Sequence, residues 1–128
     1  MSQFVETPVR AFIAGGAIAQ HLRVKAASTG KLSAAGISDK ELGTITQAAF
    51  ADGDVVGVRL RTAQGTCKMV ANATGCVIGS EVYTAAAGKI SPSYASGSYP
   101  IGVALEASTA DGDVIEVLRN SHGDTSKT

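Results

Sequence analysis

Apolar and polar residues alternate along several short stretches of this chain, with the two-residue period of a β-strand. In residues 55–61, Val56, Val58 and Leu60 fall on one side, while Gly57, Arg59 and Arg61 can face water. Residues 114–118 behave alike, with Ile115 and Val117 inward and Glu116 outward. Just ahead of each stretch lies Ala-Asp-Gly-Asp, beginning at Ala51 and at Ala110. Asp and Gly tolerate positive φ, which predicts a tight turn between antiparallel strands. The predicted hairpins run from residues 45–50 into 55–60, and from 103–107 into 114–118. Helical signals are poor: Ser38 and Glu41 have capping-box spacing, but Gly43 leaves room for little more than one turn.

The two hairpins belong to a longer repeat. Ala51-Asp52-Gly53-Asp54-Val55-Val56-Gly57-Val58 recurs as Ala110-Asp111-Gly112-Asp113-Val114-Ile115-Glu116-Val117, and upstream Gly43 pairs with Gly102 and Ala48 with Ala107. Thr29-Gly30-Lys31-Leu32-Ser33 is echoed by Ala87-Gly88-Lys89-Ile90-Ser91, with Val24 opposite Val82. The signals come in the same order in both halves, which implies a duplication or a pseudo-symmetric sheet built from units at about 20–61 and 79–119. The expected fold is all-β: one small barrel-like or sandwich domain over residues 15–119, made of two pseudo-repeated antiparallel units with little helix.

Three segments fall outside this scheme. Residues 91–100 are rich in Ser, Tyr, Gly and Pro and predict a surface loop. Residues 1–14 form an extended apolar arm carrying Phe4, Val5, Pro8, Val9, Phe12 and Ile13, which needs a cover. It is either an edge strand on its own sheet or an element that docks onto another subunit. Residues 120–128 are polar and read as a tail.

Composition narrows the function. With 128 residues, an aromatic fraction of 5% and much of the apolar fraction in alanine, one domain with a thin core is expected. Eleven basic residues balance eleven acidic ones, so no one-sided field favours nucleic acid or an anionic membrane. No apolar run approaches the roughly 20 residues that cross a bilayer, and the first ten residues lack the order of a secretion signal. A chain made in the cytoplasm, with its two cysteines, Cys67 and Cys76, as buried free thiols, is the expectation.

Candidate chemistry is sparse. His21 lies in an amphiphilic stretch suited to a surface or sheet edge, and His122 lies in the polar tail, where nothing holds it for catalysis. Asp52, Asp54, Asp111 and Asp113 are explained by turn geometry, because the spaced oxygen donors of a calcium loop are missing. No metal site, cofactor or nucleotide-binding loop is expected. Thr66-Cys67-Lys68-Met69-Val70 partly resembles the hairpin of biotin- and lipoyl-carrier domains, with Lys68 in the place of the modified lysine.

Ser98-Tyr99-Pro100-Ile101-Gly102-Val103-Ala104-Leu105-Glu106-Ala107, followed by Ala110 to Leu118, resembles the C-terminal signature of tailed-phage head decoration proteins, also called capsid cement proteins. The earlier Gly-Asp-Val segment and the Gly-Lys turns fit the same layout, so the similarity spans most of residues 15–119 and leaves the arm unmatched. The resemblance implies a structural virion protein and not an enzyme. It would be made in the host cytoplasm and bound to the outer surface of a phage capsid. The implied partners are the major capsid protein and two further copies in a homotrimer, and the implied role is stabilising the expanded head. From their position outside the repeat, Phe4, Val5, Pro8 and Val9 are the candidate capsid or subunit contacts. Tyr94 and Tyr99 in the 91–100 loop are candidates for contacts between copies. The alternatives are a carrier domain modified at Lys68, or a carbohydrate-binding module using Tyr94 and Tyr99.

Overall fold

The computed structural model describes residues 8–119; Phe4, Val5 and His122 lie outside the described residues. Among the described residues ten strands form two antiparallel five-stranded sheets, an all-β architecture. The first sheet uses β1 (Val9–Ile13), β2 (Arg23–Ala26), β3 (Leu32–Ala34), β4 (Gly43–Ile45) and β5 (Val55–Leu60), in the order β1-β5-β4-β2-β3. The second uses β6 (Thr66–Val70), β7 (Glu81–Thr84), β8 (Ile90–Ser91), β9 (Pro100–Ala104) and β10 (Val114–Arg119), in the order β6-β10-β9-β7-β8. The two orders match strand for strand. Among the described residues the one helical segment is a 3-10 turn at Ala86–Gly88.

The duplication is therefore longer than the sequence comparison suggests. Within the described part of the arm, Val9–Ile13 is β1, an outer strand on its own sheet, paired along its length with β5 in the register Val9 to Arg59 through Ile13 to Val55. Its counterpart is β6, paired with β10 in the same way. Each sheet also curls until its outer strands meet. Ala14 bridges Leu32 in the first unit, as Ala71 bridges Ile90 in the second, and the Gly15 and Asn72 amides donate to the same two residues at 2.9 Å.

Each unit has its own core. Val24, Leu32, Ile45, Val56 and Val58 are buried in the first, with Phe12 packed against them; Val82, Ile90, Ala104, Ile115 and Val117 take the matching places in the second, beside Met69. Gly43 and Gly102 mark a close backbone approach in both. A Cβ on Gly43 would sit 1.9 Å from the Arg59 carbonyl oxygen, and one on Gly102 would sit 2.0 Å from that of Leu118. No side chain fits there.

The predicted hairpins need one correction. The strands ahead of the Asp-Gly turns end at Ile45 and Ala104, several residues earlier than the sequence suggests. The Asp54 carboxylate accepts the amides of Phe50 at 2.8 Å and Ala51 at 3.1 Å, and Asp113 accepts those of Thr109 at 3.0 Å and Ala110 at 3.1 Å. Those local bonds compete with the ladder and form a wide turn. Ser38 and Glu41 begin no helix: residues 38–42 are turn and irregular chain.

The units are joined by a buried ionic chain. Arg23, fully buried, places Nη1 3.3 Å from Glu41 Oε1, and the other Glu41 oxygen meets Arg119 Nη2. Arg23 also donates across the junction to the carbonyls of Ala85 at 2.6 Å and Lys89 at 3.1 Å. Nearby, Thr84 Oγ1 donates to the Ile37 carbonyl at 2.5 Å and the Gly88 amide to that of Ala35 at 2.8 Å. Arg23 and Glu41 come from the first unit and Arg119 from the last strand of the second. The junction is thus tied by charge and backbone hydrogen bonds, beside two separate apolar cores.

Candidate functional site

Alternation on β1 gives the strand two different faces. Phe12 points toward the core, with the Arg10 guanidinium 4.3 Å above its ring centroid. Val9, Ala11 and Ile13 point outward, and Val9 and Ile13 remain 40% and 47% exposed. Val55, cross-strand from Ile13, is 66% exposed. Gly57 lies opposite Ala11, and with no side chain it leaves the row of apolar groups unbroken between Val9 and Val55. A hollow of about 380 Å³ lies beside this face, between Phe12, Ile13 and Val55 on one side and Thr29 and Lys31 on the other. Four outward apolar or small side chains on adjacent strands are more than the isolated exposed residues normal on a surface.

The predicted contact residues do not converge. Pro8 and Val9 lie on the first sheet's edge and are exposed. Tyr94 and Tyr99 belong to the loop of the second unit. Tyr94 is 56% exposed and meets Tyr83 edge-on with ring centroids 5.8 Å apart; Tyr99 is half-buried, with Lys40 Nζ 5.1 Å from its ring centroid. Tyr99 thus helps hold the 36–42 segment against the second unit: its ring meets Lys40, and its amide donates at 2.8 Å to Thr84 Oγ1, which in turn donates to the Ile37 carbonyl. The Tyr83 hydroxyl donates to Glu81 at 2.5 Å, and that bond holds its pKa above the ordinary value.

Lys68 is not at a hairpin tip. It sits in the middle of β6, cross-strand from Glu116. It faces a groove of about 480 Å³ that runs between the units. His21, Thr44, Thr46 and Arg59 form the first unit's wall, and Thr66, Lys68, Glu106 and Glu116 supply the second unit's. Cys67 lines it as well as belonging to the second core, and burial pushes that thiol's pKa up, as it does for Cys76; both are free. A protonated, buried thiol is a poor nucleophile.

His21 is the groove residue whose place in the fold differs from the strand-like stretch the sequence suggests. It is no part of a strand: it precedes β2 in a turn, with φ of 68°. A usable signal was the repeat itself, which sets His21 opposite Gly79 once the units are aligned on Val24 and Val82. Arg23, Glu41 and Arg119 were also missed as buried charges. Arg23 has Leu22 and Val24 as neighbours and Glu81 as its counterpart, a reversal of charge that marks a position where the two units differ. Among the described residues no group of three or more His, Cys, Asp or Glu side chains is placed to hold a metal ion. Compared with known proteins, the chain matches no family model and no curated sequence.

Proposed function

We propose that this chain is a decoration protein of a tailed-phage head, binding the outside of the expanded shell through the outward face of β1 and β5. The observation that carries the reading is the row Val9, Ala11 and Ile13 on β1 with Val55 on β5, apolar and exposed on a charge-balanced β protein. Supporting it is the resemblance of residues 98–118 to the closing motif of capsid cement proteins. Covering Val9, Ile13 and Val55 would favour association by about 1 kcal/mol each, before the loss of translational and rotational freedom. One copy therefore binds weakly, and attachment as a homotrimer to the major capsid protein multiplies the effect.

Deleting the arm does not test this, since β1 covers the core through Phe12. The test is Ile13→Asp with Val55→Asp, which places charge on the face and leaves the core side chains in place. The variant should keep the circular dichroism spectrum and lose cosedimentation with expanded heads. Full retention of binding by a folded variant would remove the face from the account. Sedimentation equilibrium of the free protein tests the trimer, with a monomer at all concentrations as the contrary result.

A further inference from the structure

We propose that the groove between the two units is a carboxylate-binding site, with His21, Lys68 and Arg59 as its donors. The duplication supplies an internal control for His21. Its amide donates to the Ile45 carbonyl at 2.8 Å, just as the Gly79 amide donates to Ala104 at 2.8 Å, and both residues are left-handed, with φ of 68° and 86°. Glycine adopts that conformation freely, whereas a residue with a Cβ is strained. The second unit uses glycine, and the first keeps an imidazole at the same corner and aims it into the groove. Strain retained at one of two equivalent corners points to a use for the side chain.

The groove's two permanent cations, Arg59 and Lys68, share it with Glu106 and Glu116 but form no close ion pair with either among the described residues. Lys25, Lys31 and Lys89 each meet an aspartate within 2.9 Å, and Arg23 and Arg119 share Glu41. Among the described residues Arg59 and Lys68 form no such pair; Arg59 donates to the Gln64 carbonyl instead. Each of the groove's acids keeps its charge and has one oxygen held by a neutral donor of the second unit, which directs it away from Arg59 and Lys68 as an ion-pair partner. Glu116 Oε2 accepts the Thr66 hydroxyl at 2.6 Å, and Glu106 Oε1 accepts the Glu116 amide at 2.8 Å. Burial first, and the positive charge of Lys68 second, hold the His21 imidazole below its ordinary pKa. A carboxylate entering there meets the Lys68 ammonium, the remaining N–H groups of Arg59 and the imidazole N–H. It would also favour uptake of a proton from solvent by His21, turning the imidazole–carboxylate hydrogen bond into an ion pair.

The carboxylate can come from an acidic side chain on a partner polypeptide or from a free small acid. The first source deepens the decoration reading by naming what the groove would recognise, but the test needs no capsid. The full chain, isotopically labelled, would be titrated in NMR with acetyl-Gly-Glu-Gly-amide, with its Gln counterpart and with glutarate. The Glu peptide should shift the His21 ring and the Thr66 and Lys68 amides to saturation, and raise the His21 pKa by about 1 unit. Lys68→Met and His21→Gly should each weaken binding about tenfold or more, read from the Thr66 and Lys68 amides. His21→Gly should not lower the melting temperature, which separates binding from folding. Tighter binding of the peptide than of glutarate assigns the site to a polypeptide, and equal or tighter binding of glutarate assigns it to a small acid. Equal response to the Gln peptide, no saturable shift, or undiminished binding in both folded variants would overturn the proposal. Head binding through β1 is scored separately, so either idea can fail alone.

Discussion

Replacing Glu41 with glutamine probes the junction most sharply. The substitution keeps the side-chain shape, but it leaves the guanidiniums of Arg23 and Arg119 facing a neutral amide in a buried site. Removing one partner of a buried ion pair costs about 3–5 kcal/mol, and the loss of a carboxylate shared by two guanidiniums places this case near the middle of that range. Unfolding entropy near 2.1 cal/mol/K per residue gives roughly 0.27 kcal/mol/K for a chain of this length. A loss of about 4 kcal/mol then lowers Tm by about 15 °C, measured by differential scanning calorimetry at pH 7. The loss should be local first. Hydrogen exchange at Gly88, whose amide donates to Ala35 across the junction, should accelerate more than exchange at Val117 in the second core. A fall of less than about 4 °C would refute the claim that this ionic chain ties the units together.

The matching glycines give a paired test. Gly43→Ala and Gly102→Ala each drive a Cβ into a backbone carbonyl and should destabilise by about 3 kcal/mol or more, while Gly16→Ala, with nothing within 4 Å, should be neutral in the same denaturant titration. His21→Gly should raise stability by about 0.5–1 kcal/mol and Gly79→His lower it by a similar amount, because the two corners share one backbone conformation. Acid should weaken the fold through Asp113 and Asp39. Backbone amides of Thr109 and Ala110 hold Asp113 below the ordinary value of 3.8, and Lys25 with the Gly36 amide does the same for Asp39. The unfolded chain therefore takes up these protons first. The stability they contribute is present above 3.8 and lost as pH falls through the lower folded values, so Asp113→Asn should flatten the unfolding profile in that window.

Strands that are half-buried announced themselves in the sequence. Residues 55–60 and 114–118 alternate because one face meets a core and the other meets water, and β5 and β10 lie there. Asp-Gly-Asp and Gly-Lys made the duplication visible because turn chemistry is written in residue type. Its first strand stayed hidden: Val-Arg-Ala-Phe-Ile and Thr-Cys-Lys-Met-Val share a position in the sheet and no identical residue. Alternation was present in Val9–Ile13, but an apolar outward face made it read as an arm seeking a cover. The burial of Arg23 and Glu41 was illegible because it depends on where the two units meet, which no local pattern encodes. Loop composition shows where the tyrosines lie but not their neighbours: Tyr94 is exposed, whereas Tyr99 is half-buried under Lys40 of the first unit.

A cryo-electron microscopy reconstruction of expanded heads mixed with the purified protein tests the central claim most directly. The account predicts ordered density on the outer shell with the β1 and β5 face, marked by Val9, Ile13 and Val55, turned toward the capsid lattice or a neighbouring copy. Bare heads at saturating protein, or bound copies whose β1 and β5 face points into solvent, would contradict it.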